Sequence, residues 1–251
     1  MTTQGFARRF RTLAVSMLST LLLAGSCEER HAARCKLECE ARGACTGKGD
    51  RCIATHNDDC LRSRACKQDG QCALSGEGCA ATEDVCAKFE GCSTLGRCGV
   101  QDDLCAATSA AHCRGTKGCE IDGLCSAVNG ACAARGDDCK AARACTEYAR
   151  CTAEGNACVT ASSTDCELSS MCLRQGYCSF VAGRCQLASQ ADCQKTTGCK
   201  EYGTCHFVAD THRSGMGTTP GCIIGSDADC RQAKVCETRG HCRKGTRACT
   251  K

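Results

Sequence analysis

Residues 162–187 read SSTDCELSSMCLRQGYCSFVAGRCQL, with Cys166, Cys172, Cys178 and Cys185 spaced C-x5-C-x5-C-x6-C. That spacing recurs along the chain. It returns at Cys60, Cys66, Cys72 and Cys79, at Cys86, Cys92, Cys98 and Cys105, and at Cys113, Cys119, Cys125 and Cys132. It appears again at Cys139, Cys145, Cys151 and Cys158, and at Cys230, Cys236, Cys242 and Cys249. Two groups deviate. Cys35 and Cys39 are separated by only three residues ahead of Cys45 and Cys52, and ten extra residues lie between Cys205 and Cys222 in the group begun by Cys193 and Cys199. A fixed period of 26 or 27 residues marks a repeat array. The implied repeats are 27–52, 53–79, 80–105, 106–132, 133–158, 159–185, 186–222 and 223–251, preceded by a segment 1–26.

Within one repeat, local chemistry suggests a fold. Ser162 three residues before Asp165 reads as a capping box, with Ser189/Asp192 and Ser226/Asp229 repeating it and Thr82 and Ser109 keeping the cap alone. A short helix should begin just before the first cysteine and pass through the second, and the helix formers of Cys139-KAARA-Cys145 agree. Gly43, Gly70, Gly96, Gly123, Gly176, Gly203 and Gly240 follow the second cysteine by four residues, with Ala149 in that place in the fifth repeat. Glycine there suits a left-handed helix end. Two short runs around the third and fourth cysteines then read as a β-hairpin. The fold class is small disulfide-rich tandem repeats, each a short helix plus a β-hairpin stapled by two disulfides.

Residues six apart on a helix are about 9 Å apart along its axis, and a disulfide needs Cα atoms within about 7 Å. First-to-second pairing is therefore disfavoured, together with its complement. Two patterns within a repeat remain open, first-to-third with second-to-fourth, or first-to-fourth with second-to-third. Pairing between neighbouring repeats also stays open. Zinc sites space their cysteines as C-x2–4-C; only Cys35 and Cys39 approach that, so disulfides rather than metal-thiolate binding are expected, and neither a metal nor a cofactor. Short connections between the groups favour stacked repeats over separate knots.

Composition points the same way. Of 251 residues, 33 are Cys, above the roughly 8–10 % that marks a disulfide scaffold. From residue 27 onward only 23 of 225 residues are Ile, Val, Leu or Phe, too few for one hydrophobic core. Four Ile residues cannot furnish a (β/α)8 barrel.

Residues 1–26 have the zones of a secretory signal: basic Ala7-Arg8-Arg9-Phe10-Arg11, apolar Leu13 to Leu23, then small Ala24-Gly25-Ser26 before Cys27. The apolar run is shorter than the roughly 20 residues that span a bilayer. Arg8-Arg9 also fits a twin-arginine signal, but that route carries proteins already folded, whereas this chain folds by meeting an oxidant. The eight groups account for 32 cysteines, and the one left over is Cys27. On these residues the chain resembles a bacterial lipoprotein precursor, with Ala24 where the lipobox prefers Leu. Its array resembles the tandem Cys-rich repeat lipoproteins of large bacterial genomes. The resemblance implies a lipid on Cys27, loss of residues 1–26, and a place in the cell envelope, at the outer membrane or cell surface. Removing the signal takes the balance from 32 basic against 28 acidic residues to 29 against 28. No basic field is left to attract nucleic acid.

Motifs for catalysis are missing: there is no zinc-protease His pair, nucleophile elbow or phosphate loop. The expectation is a non-enzyme, acting as a structural or binding module on an unidentified protein or glycan. A hydrolase inhibitor or toxin-like effector is the alternative, and thiol-based metal binding a third. The candidate contact loop is the seventh-repeat insertion with His206, Phe207, His212, Arg213 and Met216. Tyr148, Tyr177, Tyr202, Phe180 and Phe207 form either a binding face or small cores. The pairs Asp58-Asp59, Asp102-Asp103 and Asp137-Asp138 read as helix caps at repeat starts.

Overall fold

The structure is a computed structural model that describes residues 27–211 and 219–251, without the side chains of 27–30, 210 and 211. The signal region 1–26 lies outside the described residues. Contacts divide the chain into two compact units, residues 1–86 with 102–105, and 87–101 with 106–251.

All sixteen disulfides lie inside the eight groups, in the first-to-fourth and second-to-third pattern. Cys60 pairs with Cys79 and Cys66 with Cys72; Cys166 pairs with Cys185 and Cys172 with Cys178; Cys230 pairs with Cys249 and Cys236 with Cys242. The first group obeys the same rule, Cys35 with Cys52 and Cys39 with Cys45.

The first repeat begins with one continuous helix, α1 (Cys27–Arg42), followed by β1 (Thr46–Lys48) and β2 (Arg51–Ile53). In the second repeat the expected single helix is two, α2 (Asn57–Arg62) and α3 (Arg64–Asp69), ahead of β3 (Ala73–Ser75) and β4 (Gly78–Ala80). Ser63 causes the break. Its backbone is extended (φ −72°, ψ 157°), and its buried hydroxyl accepts from the Cys66 amide while donating to the Cys60 carbonyl. The side chain thus closes one helix and starts the next. Ser169, Thr196 and Thr116 do the same between their cysteines. Phe89, Ala142 and Ala233 hold the same extended backbone without a cap. The KAARA stretch after Cys139 is turn through Ala141, and its helix is Arg143–Tyr148.

The remaining expectations for the repeat hold. The second helix ends in a left-handed residue, as at Gly70 (φ 74°), Gly176 (φ 76°) and Ala149 (φ 61°). Each repeat carries a two-stranded sheet, with antiparallel registers such as Leu74↔Cys79 and Phe180↔Cys185. Turns such as Asn129-Gly130 (φ 50° and 79°) have the paired positive φ that suits a two-residue hairpin. Asp102 and Asp103 belong here: with φ of 52° and 62° they form a hairpin turn, and the reading of that pair as a helix cap is corrected.

Sulfur and alanine make up the interior. Among the described residues the buried apolar side chains are Cys and Ala, with Leu187 and Ile224 the exceptions. Tyr148 and Tyr202 are 58 % and 62 % exposed, which removes them from any core.

Three devices join one repeat to the next within each unit. The second residue after the fourth cysteine, a buried alanine, donates its amide to the following hairpin turn: Ala54 to Glu77, Ala81 to Asp103, Ala107 to Gly130 and Ala134 to Asn156, at 2.9–3.0 Å. The left-handed glycine lies against the following first-to-fourth staple; a Cβ on Gly43 would fall 2.6 Å from Cys79 Sγ, and one on Gly203 2.9 Å from Cys249 Sγ. Finally, the aspartate before the first cysteine takes a hydroxyl from the preceding hairpin. Ser179 donates to both oxygens of Asp192 at 2.9 Å, and that carboxylate also accepts the Ala188 and Ser189 amides. Asp165 is held likewise by Thr152, Ala161 and Ser162. Both carboxylates are buried, which is tolerable only because each is hydrogen-bonded several times over.

Candidate functional site

The lengthened hairpin of the seventh repeat is built on the same base as its neighbours. Its strands, His206–Thr211 and Thr219–Ile223, pair His206↔Ile223, Phe207↔Cys222 and Val208↔Gly221, with an irregularity before Thr211↔Thr219. The Phe207 amide donates to Gln190 Oε1 (2.9 Å) on the first helix of the repeat. Leu74 to Asn57, Phe180 to Ser163 and Lys244 to Asp227 are the same contact elsewhere. Cys193 and Cys222 hold Cα atoms 5.5 Å apart, as Cys166 and Cys185 do, although 29 residues separate them instead of 19. All the extra length is therefore displaced to the tip. His206 is exposed and Phe207 half-buried at the base; His212, Arg213 and Met216 lie outside the described residues.

A second surface feature was not singled out in the sequence as a row. The second helices of consecutive repeats pack side by side: Glu90–Leu95 on Lys117–Asp122, that on Arg143–Tyr148, then Ser170–Gln175 and Thr197–Tyr202. Each leaves a large apolar side chain exposed: Leu95, Ile121, Tyr148, Leu173 and Tyr202. Mixed charge surrounds them, including the Arg143–Glu147 pair at 2.9 Å, which raises the Arg143 pKa through the hydrogen bond to that carboxylate.

Catalytic chemistry finds little support. Every cysteine from Cys35 to Cys249 is in a disulfide, so a thiolate nucleophile does not exist among those residues in the oxidised protein. Cys27 is the first residue of α1, and its side chain is outside the description. One cluster of metal-ligating types occurs among the described residues, His31 with Cys35 and Cys52, and both cysteines are oxidised. No helix of the described residues is long and apolar enough to cross a membrane. No protein-family model, curated protein or solved structure matches this chain. The sixteen disulfides themselves indicate an oxidising, extracytoplasmic setting.

Proposed function

We propose that the chain is an exported, lipid-anchored, non-catalytic module of the bacterial envelope, which presents hairpin tips and an apolar helix row to a protein or glycan partner. The observation that carries this reading is the cysteine ledger: thirty-two close into a repeated staple, and the thirty-third, Cys27, sits where a lipoprotein precursor would be acylated. Two or three acyl chains, at about 0.8 kcal/mol per buried CH₂, would hold it stably at a membrane. The lengthened seventh hairpin supports tip-first contact, because its base is unchanged while its reach is greater. Radiolabelled palmitate given to cells making the protein should label it, and Cys27→Ala should abolish the label and release the protein. Protease shaving of intact cells should remove it from the wild type. No label on the wild type, or label surviving in Cys27→Ala, would end the anchoring reading.

A further inference from the structure

We propose that His31, Cys35 and Cys52 form a redox-gated zinc site, closed while the two cysteines are joined and opened by a dithiol reductant. This stands apart from the anchoring and partner-binding reading and needs neither.

The argument starts from what covers each first-to-fourth staple. In the second, fourth, fifth and eighth repeats the fourth-cysteine sulfur lies against the left-handed glycine of the repeat before: Cys79 by Gly43, Cys132 by Gly96, Cys158 by Gly123 and Cys249 by Gly203. At Cys35–Cys52 the neighbour is an imidazole instead. His31 stands one helical turn before Cys35 on α1, with Nδ1 3.9 Å from Cys35 Sγ. Gly47 of β1 makes room for the ring; a Cβ there would lie 3.1 Å from His31 Cε1. The other ring nitrogen, Nε2, is buried with no hydrogen-bond partner. Buried polar atoms ordinarily find one, so this ring is held for a reason other than hydrogen bonding.

Access singles out the same staple. Cys35 is 5 % exposed, whereas Cys60, Cys86, Cys113, Cys139, Cys166, Cys193 and Cys230, its counterparts, are each 0 % exposed. Cys35 also lines an open concavity of about 540 Å³ together with His31, Lys36 and Glu40. A dithiol can enter there. Its thiolate attacks Cys35 Sγ, and Cys52 leaves as a thiolate; the second thiol of the reductant then closes its own disulfide and expels Cys35. The reductant loses two electrons and two protons, and the protein gains two thiols.

The donor atoms of His31, Cys35 and Cys52 already lie within 4.8 Å of one another. Tetrahedral zinc with Zn–S near 2.3 Å needs sulfurs about 3.8 Å apart, a spacing reached by rotating two freed side chains. Zinc would displace the thiol protons and take two thiolates, one neutral imidazole and a water.

The test uses the exported protein purified without reductant. Limiting dithiothreitol followed by alkylation and peptide mass mapping should modify Cys35 and Cys52 before any other pair. The opened protein should then bind one Zn²⁺, and Co²⁺ in its place should show a thiolate-to-cobalt charge-transfer band. The oxidised protein should bind neither. His31→Ala should weaken zinc binding more than about tenfold without changing the alkylation map, and His31→Gln serves if that variant folds poorly. Another pair opening first, equal zinc uptake by the oxidised protein, or full affinity in both His31 variants would each overturn the proposal.

Discussion

The first repeat and its seven successors solve one problem in two ways. Both must bring a helical segment against a hairpin and bond second cysteine to third. In the first, Cys35 and Cys39 are four apart on the unbroken α1, so both fall on the face turned to β1 and β2. In the others the cysteines are six apart, and on one straight helix they would face different ways. The chain breaks instead at the residue midway, Ser63 in the second repeat, which re-aims the next turn. Two residues more in the spacer thus exchange a straight helix for a hinged pair and leave the bonding pattern intact.

The largest effect that could break this equivalence is loss of a staple. Removing the wide bond with Cys166→Ala and Cys185→Ala should cost about 3 kcal/mol and removing the narrow one with Cys172→Ala and Cys178→Ala about 2, from the loops they close. The separations are 19 and 6 residues there, and 17 and 6 in the first repeat, so the same ranking should hold in both. Hydrogen exchange of the altered repeat reads this locally, and a reversed ranking in the first repeat would separate the two designs.

Next comes the glycine junction. Gly43→Ala and Gly203→Ala combine positive φ with a Cβ inside the following staple, and should each lose about 2–3 kcal/mol. Gly240→Ala meets nothing within 4 Å and should lose only about 1 kcal/mol for its φ. Chemical denaturation compares them.

The hinge is worth less. Ser169→Ala should cost about 1 kcal/mol by removing the cap on Cys172, while Leu37→Ala, 68 % exposed midway between Cys35 and Cys39, should stay within about 0.5 kcal/mol. Equal losses would mean the hinge cap is not what holds the pair of helices.

The smallest effect is electrostatic and joins the two kinds of repeat. Glu77 bonds Lys48 and lies 2.7 Å from Arg51, and the Lys48 hydrogen bond holds its carboxyl below the usual range. A lowered folded value means the pair stabilises above the ordinary carboxylate range and the contribution fades as pH falls through the lowered value. Protection of the Ala54 amide, which donates to the Glu77 carbonyl, should fall slightly on acidification. Glu77→Gln or high salt should flatten that trend.

Much of the repeat was legible from its cysteines and glycines because those residues obey strict geometry. A left-handed helix end admits few residues, and a disulfide has a short reach. The hinge was not legible as a break, since the capping box at Ser162/Asp165 and the formers around Cys139 are local signals compatible with a longer helix. The disulfide argument accordingly reached the right exclusion from a straight helix that only the first repeat possesses. A polar residue midway between the cysteines, as at Ser63, Thr116, Ser169 and Thr196, was the available sign of a second N-cap. The Asp102-Asp103 pair failed for another reason: aspartate caps helices and also tolerates positive φ, and only its place before the fourth cysteine distinguished the two. The apolar row could not be seen because Leu95, Tyr148 and Tyr202 become neighbours only when helices from separate repeats are laid side by side.

The bond between Cys193 and Cys222 keeps the same span as its shorter-looped counterparts, so the clasp gauges the neck of the hairpin and ignores what is strung beyond it. Any of the eight necks could therefore carry a longer or altered finger while the frame below stays as it was. An array of this kind can diversify what it touches one finger at a time.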